Sequence, residues 1–399
     1  MATSTSRTFQ LPATEELRLE VRQGHTILIK LLDGTAEIFG TELYLGTPIE
    51  LHGQKTAVYT WHGCKLELLA SGSDLNEALE SVYPAGETPM QEYVNVHSLL
   101  EQRRATAKEA GPVYSARSEG PRTLLVGPTD VGKSSLCKIL CNYAVRMQWS
   151  PTMIDLDIGQ GAITAPGSIG ATPIEAPLDI EEGPPLEVPL IYYYGHVTPS
   201  VNPDLYRHLV ECLAALLKRR HSMNLDAANS GLVINTMGWV TDLGLDLLYH
   251  TIKALQVDVI LVLGDDKLYN TLHQHCRQSR NVTVFRLPKS GGVVVRDPTL
   301  RKTSRTNRVR EYFYGPRNRL RPHSQTVSLR ELSIYRIGGG PQAPSSALPI
   351  GMKAFSEPLR FLYVTDVDPV RQTVTYLAPC LGPVPGKYLL LGSLKVMMQ

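Results

Sequence analysis

The residues able to do chemistry fall into four short clusters, the first being Gly127-Pro-Thr-Asp130-Val131-Gly132-Lys133-Ser134-Ser135. Glycines at this spacing let backbone N–H groups converge on phosphate oxygens at a helix N-terminus, where the helix dipole also favours negative charge. Lys133 is placed to reach the β- and γ-phosphates, and the Ser134 hydroxyl to help hold Mg²⁺. Asp155-Leu-Asp157-Ile-Gly-Gln160 adds two carboxylates. Period-two alternation would put both on one strand face, where one orients the metal while the other either polarises an attacking hydroxyl or caps the strand end. Thr236-Met-Gly238-Trp239 follows an apolar run; a tryptophan there either plugs the core or stacks on a nucleobase. Pro288-Lys-Ser-Gly-Gly292 leads into Arg296, Arg301 and Arg305, and the last two, four apart, share a helix face. Arginines on a mobile segment over a γ-phosphate neutralise transition-state charge and exclude water, which suits a kinase better than a simple ATPase.

These clusters need elements to position them. Thr123 to Val126 reads as a short buried strand, and Leu136, Ile139, Leu140 and Tyr143 recur at helical spacing, so strand, glycine-rich turn and helix follow in the order a phosphate loop requires. From Arg122 to about Gly315 strands and helices alternate, the pattern of a largely parallel sheet. The apolar runs Gly231 to Asn235 and Val257 to Leu263 read as its central strands, with Thr152 to Asp157, Val188 to Tyr194 and Val282 to Leu287 as others. Leu205 to Arg220 reads as an amphipathic helix. Residues 8 to about 96 read as all-β, with Leu17 to Val21 alternating and Gly34, Gly40, Gly46 and Gly53 punctuating short segments. A helix is expected from Ser98 to about Ala110, then a linker to Pro121. Beyond Gly315 the pattern returns to β, with candidate strands at Gln325 to Ile337, Phe361 to Thr365, Thr373 to Leu377 and Lys387 to Val396, and a loop around Gly338 to Ser346. The fold class expected is α/β: an N-terminal β-sandwich-like domain over residues 1–110, a central P-loop NTPase domain over 111–315, and a small, mostly β C-terminal domain over 316–399.

The 399 residues carry a net charge of +2, which by itself predicts no nucleic-acid partner. The charge is unevenly spread: nine Lys or Arg lie between Arg296 and Pro322 against Asp297 and Glu311, a local field that attracts phosphates or simply solvates the surface. No apolar run approaches a membrane span, and six scattered cysteines without a C-x-x-C pair argue for a reducing compartment and against a zinc site. No Asn-Lys-x-Asp guanine reader and no Leu-Ser-Gly-Gly-Gln signature occurs, which speaks against a GTPase and a transporter-type ATPase.

Gly-Pro-Thr-Asp-Val-Gly-Lys-Ser, Leu-Asp-x-Gly-Gln-Gly, Thr-x-Gly-Trp and Leu-Pro-Lys-Ser-Gly-Gly-Val-Val followed by spaced arginines resemble, in the same order, the motifs of the Clp family. Ala36 to Leu43, Thr60 to Cys64 and Arg310 to Gly315 extend the likeness over nearly the whole chain. That family comprises polynucleotide 5′-hydroxyl kinases that also serve in the mRNA 3′-end cleavage and polyadenylation machinery. The resemblance implies ATP with Mg²⁺, an RNA 5′ end as substrate, and other subunits of the 3′-end cleavage factor as partners. It also implies the tRNA splicing endonuclease as a further partner, and a nuclear location. It puts Asp157, with Ser134, at the metal; Arg296, Arg301 and Arg305 at the transferring phosphoryl group; and Gln160, Thr236, Gly238 and Trp239 along the RNA. Glu16 and Lys55 would lie at the adenine end of ATP. The alternative within the family is an ATP-bound scaffold that has lost turnover; Lys133, Asp157, Trp239 and the arginines, all retained, favour the enzyme.

Overall fold

The computed structural model describes residues 6–70, 74–111, 119–184, 189–277, 281–336, 361–382 and 388–396. Most of the expected linker and the loop at Gly338 to Ser346 lie outside the described residues. The chain forms two compact units. The first holds Met1–Ile154, Ala171–Pro189 and Ala214–Val295, and the second Asp155–Gly170, Leu190–Leu213 and Arg296–Gln399.

In the first unit, alternation of apolar and polar residues dictates a sandwich. Ile27, Ile29 and Leu31 are buried along Thr26–Gly34 while their neighbours are partly exposed, and Leu17, Leu19 and Val21 do the same along Glu16–Val21. Strands Ser6–Leu11, Cys64–Ala70, Thr26–Gly34 and Pro48–His52 make one antiparallel sheet. Thr41–Glu42, Glu37–Ile38, Lys55–Tyr59, Glu16–Val21 and Leu79–Ala85 make another. One apolar cluster, including Leu11, Leu17, Ile29, Val58, Leu66 and Leu68, fills the space they enclose. The helix expected at Ser98 starts at Met90 and runs to Glu109. Met90, Tyr93, Val96 and Leu100 bury one face at three- and four-residue spacing, which extends the helix back through a polar stretch that hides the period.

The same unit carries a parallel sheet in which Thr152–Asp155, Leu232–Asn235, Arg122–Val126, Val259–Leu263 and Thr283–Leu287 are neighbours in that order. Arg122–Val126 pairs parallel to Leu232–Asn235 and to Val259–Leu263, and all three are buried throughout. The connecting helices Lys133–Arg146 and Leu243–Ala254 send Leu136, Leu140, Leu247 and Leu248 into the core. Strand Ser168–Pro173 has no counterpart in the pattern reading, because Ser, Gly, Ala and Thr carry neither alternation nor an apolar run; it is nonetheless buried over five of its six residues.

In the second unit, helix Pro298–Tyr314 precedes an antiparallel sheet of His323–Ser328, Thr373–Ala378 and Tyr363–Asp368, and a parallel pair of Ser333–Arg336 and Tyr388–Leu391. The alternating run from Gln325 is two strands, broken by a 3-10 turn at Leu329–Glu331. The α/β class expected from the pattern, with a β-sandwich before the P-loop sheet and a small β-rich part after it, is the class observed.

Candidate active site

The phosphate loop is shaped almost entirely by backbone. Strand Arg122–Val126 ends at Gly127, which has φ 153°; a Cβ there would lie 2.6 Å from the Leu263 carbonyl oxygen. Asp130 turns the chain at φ 57°, and Gly132, at φ 92°, caps helix Lys133–Arg146 with no side-chain acceptor on the first turn. Lys133 is buried and donates from Nζ to the carbonyls of Gly127, 2.7 Å, and Pro128, 2.6 Å. A helix start with uncapped amides, a buried cation and a Gly127 packed too closely for any side chain fit a polyphosphate.

Two further turns pack on this loop. A Cβ on Gly238 would lie 2.6 Å from Thr129 Cα and collide with the rest of its main chain, so the Thr236–Trp239 turn touches the phosphate loop directly. Thr236 is buried and its hydroxyl donates to the Leu125 carbonyl, 2.7 Å, which ties that turn to the strand leading into the loop. Trp239 is half-buried rather than a core plug, with its ring against Gly244. On the other side, Val293 approaches Gly132, and Lys289 and Val131 approach Gly264. The Pro288–Val293 segment is held by Tyr93, whose hydroxyl donates to the Pro288 carbonyl at 3.1 Å, and by Arg18, whose guanidinium lies against Gly291 and Gly292.

Arg18 is in turn fixed by the buried Glu16: its Nε donates to Glu16 Oε1 at 2.6 Å, and Thr88 Oγ1 donates to Glu16 Oε2 at 3.0 Å. Burial and the Glu16 charge raise the Tyr93 hydroxyl well above its ordinary pKa, so it stays a donor. Lys55 is not beside Glu16. It pairs with Glu20, four residues along the same strand and roughly 13 Å away at the usual strand rise.

In the second unit, the two aspartates do not share a strand face. The strand stops at Asp155, and Asp157 lies in the turn beyond it. The reason is local: buried Asp155 accepts the Asp157 N–H through Oδ1, 3.1 Å, and the Ala162 N–H through Oδ2, which bends the chain. Asp157, partly exposed, accepts the Gly159 N–H at 2.9 Å, and Gln160 sits in the same turn. The buried Tyr206 hydroxyl braces the turn by donating to the Leu156 carbonyl, 3.1 Å. Asp155 is thus the buried, loop-shaping carboxylate and Asp157 the partly exposed one.

Helix Pro298–Tyr314 begins with an Asp297 cap, Oδ1 accepting the Leu300 N–H at 2.7 Å, and Pro298 in its first turn. Arg301 and Arg305 share one face as their spacing predicts, and Arg308 continues the stripe. Arg308 Nε donates to the Gly161 carbonyl at 3.2 Å and Nη1 to Glu311 at 3.0 Å, while Nη2 donates to the Ala162 carbonyl. The arginine helix is therefore docked on the Asp157 turn. Arg296, half-buried, lies just before the cap.

A profile described as "mRNA cleavage and polyadenylation factor CLP1 P-loop" matches residues 127–315, and one described as "N-terminal beta-sandwich domain of polyadenylation factor" matches residues 10–107. A protein of Arabidopsis thaliana named "Protein CLP1 homolog" is 42% identical over 96% of this chain and 93% of its own length. The chain belongs to the CLP1 family. The Gallus gallus member named "Polyribonucleotide 5'-hydroxyl-kinase Clp1" is 39% identical, over 98% of this chain and 96% of that one. Clp1p solved in its wild-type complex with a Pcf11p segment superposes with a TM-score of 0.81 at 24% identity, covering 99% of each chain. A second such structure has a TM-score of 0.82, and its description names ATP loss in a glycine-to-arginine point mutant of that protein. At this identity the likeness is one of fold, and it agrees with the elements described above.

Among the described residues no group of three or more His, Cys, Asp or Glu is placed to hold a metal ion, and no helix is long and apolar enough to cross a membrane. A magnesium ion that keeps its waters and phosphate oxygens needs only one or two protein oxygens, and the exposed Ser134 in the first unit and the partly exposed Asp157 in the second each carry one of that kind. The pattern reading missed Arg18, Thr88 and Arg308 as contributors. Arg308 was legible as the next step of the Arg301, Arg305 stripe; Arg18 reaches Gly291 and Gly292, and Thr88 reaches Glu16, only through long-range packing.

Proposed function

We propose that the chain is an ATP-dependent polyribonucleotide 5′-hydroxyl kinase and a subunit of the mRNA 3′-end cleavage factor. A complete phosphate loop, the partly exposed Asp157 and an arginine helix are all retained in a chain 39% identical, nearly end to end, to proteins named as that kinase; this carries the reading. The RNA 5′-hydroxyl oxygen bonds to the γ-phosphorus of ATP and gives up its proton to solvent, the bond to the β,γ-bridging oxygen breaks, and ADP leaves with that bond's electron pair. Lys133 holds the β- and γ-phosphates over the amides of Gly127 to Ser135, Asp130 and Val131 included. Arg296, Arg301 and Arg305 neutralise the charge spread over the transferring oxygens. Ser134 and Asp157 would be the protein oxygens for Mg²⁺, which would supply charge neutralisation to the phosphates when bound. Trp239 stacks on the terminal base, and Gln160 and Gly238 line its approach. Glu16 reads the base end of ATP.

The division into domains 1–110, 111–315 and 316–399, the nuclear location and the tRNA splicing endonuclease as a further partner belong to the same proposal. Transfer of label from γ-labelled ATP to a 5′-OH RNA oligonucleotide, abolished in Lys133→Ala, is the expected result. Wild-type protein that retains ATP through purification yet labels no RNA would replace this reading with the ATP-bound scaffold.

A further inference from the structure

Ala162 is clamped from both sides. Its N–H is taken by buried Asp155 and its carbonyl by Arg308, which also holds the Gly161 carbonyl at 3.2 Å. Between these anchors the chain folds back on itself, with the Gly161 N–H donated to the Asp157 carbonyl at 3.1 Å and Gly161 at φ 67°. Asp157 and Gln160 therefore lie in a turn whose far end is set by two side chains, Asp155 at its own entry and Arg308 from 146 residues further along the chain. On the helix, Arg308 is seven residues from Arg301 and three from Arg305, on one stripe, and Val309 and Phe313 are buried beneath it. The bonds from Arg308 fix the register of that stripe against the turn.

We propose that Arg308 and Asp155 are positioning residues, which hold the metal-directed Asp157 and the phosphoryl-directed Arg301 and Arg305 in one frame. The arginine helix is then not a free lid: it cannot shift along its axis without pulling on the turn that carries Asp157. The inference deepens the kinase reading and rests on it for the roles of Asp157, Arg301 and Arg305. A guanidinium is required at position 308 because its planar fork reaches two successive carbonyls and Glu311 at once, which a lysine ammonium does not. A carboxylate is required at position 155 because each of its oxygens accepts a different amide.

Hydrogen exchange of the full chain without metal or nucleotide, compared for wild type, Arg308→Gln, Arg308→Lys and Asp155→Asn, tests the frame. Amides of residues 157–162 should exchange at least tenfold faster in Arg308→Gln and Asp155→Asn, and by an intermediate factor in Arg308→Lys, while helix Lys133–Arg146 keeps its protection. In the kinase assay the Mg²⁺ concentration for half-maximal rate should rise several-fold and kcat fall, with KM for ATP little changed. Unchanged exchange of the turn in both Arg308→Gln and Asp155→Asn would overturn the inference. So would a loss of melting temperature with an unaltered Mg²⁺ requirement. If wild type labels no RNA, the kinase reading fails by itself, and the exchange result still decides whether the two side chains hold the turn.

Discussion

The two loops assigned to phosphate chemistry are built by opposite means. The loop at Gly127 to Ser135 is shaped by main chain: positive φ at Gly127, Asp130 and Gly132, and neighbours so near that Gly127 and Gly238 admit no Cβ. The turn at Asp155 to Ala162 is shaped by side chains, through the Asp155 carboxylate, the Arg308 guanidinium and the Tyr206 hydroxyl. A loop of the first kind is vulnerable first to added volume. One of the second kind is vulnerable to an isosteric change of charge or hydrogen bonding. The difference follows from what each must present: converging amides in one case, a single carboxylate at a set height in the other.

The largest effect on nucleotide binding among these changes should come from crowding the first loop. Gly238→Ala forces a methyl group into the Thr129 main chain. Overpacking of about 1–3 kcal/mol that falls on the bound loop geometry corresponds to roughly a 5- to 150-fold weaker ATP affinity. Titration calorimetry checks it, and ATP affinity equal to wild type would show that the Thr236–Trp239 turn does not control the loop. Asp157→Asn is its counterpart in the second loop: kcat should fall by roughly a hundredfold or more while ATP affinity and melting temperature stay near wild type. A parallel loss of melting temperature would instead mean that Asp157, like Asp155, is there to shape the turn.

Trp239→Ala should act on RNA and not on ATP. Stacking of a base on an aromatic ring contributes about 1–3 kcal/mol, so KM for a very short 5′-OH oligonucleotide should rise about tenfold. The rise should be smaller for a long one held by other contacts. The same KM as wild type for both would remove Trp239 from the substrate path.

Acid should separate the units. Buried His221, with neither ring nitrogen hydrogen-bonded, and His97, packed on Tyr143, both lie in the first unit, and burial first, then neighbouring arginines, lowers each to about 4. A lowered folded-state pKa means that the unfolded chain binds more protons between about pH 6.5 and 4. Stability therefore falls as pH drops through that window and is fully present above it. The loss is on the order of 3 kcal/mol for His221 and less for the more exposed His97. Exchange measured at pH 4.5 and at pH 7 should show protection lost first in the strands Arg122–Val126 and Leu232–Asn235, and His221→Gln should flatten the dependence.

What the pattern of residues made legible, and what it hid, divides along the same line. Strand, glycine turn and helix follow in sequence at the phosphate loop, so local spacing alone placed Gly127, Gly132, Lys133 and Ser134. Alternation of Leu17, Leu19 and Val21, or of Ile27, Ile29 and Leu31, announced the sandwich because one face of each strand is solvated. Ser168–Pro173 is buried on both faces and built of small residues, so no period survives in it. The aspartate pair misled for a related reason: alternation assumes that the strand continues, and it is Asp155's own side chain that ends it. Arg308 and Arg18 act on segments 146 or more residues away in the chain, which no local pattern encodes.

The smallest predicted effect concerns Lys55. The resemblance places it with Glu16 at the base of ATP, whereas the strand register sets it opposite Glu20, with its side chain 39% exposed. An ion pair so open to solvent contributes about 0–1 kcal/mol. Lys55→Met should therefore leave the melting temperature within about 2 °C of wild type, the shift expected of so weak a pair, and should alter KM for ATP by less than about threefold. Glu16→Gln, which weakens the hold on Arg18 and so on the Gly291–Gly292 segment, should raise KM for ATP more than Lys55→Met does. Equal effects of the two substitutions on KM would mean that the lysine leaves Glu20 for the nucleotide when ATP binds, because in its present pairing it has no route to the base except by breaking that bond.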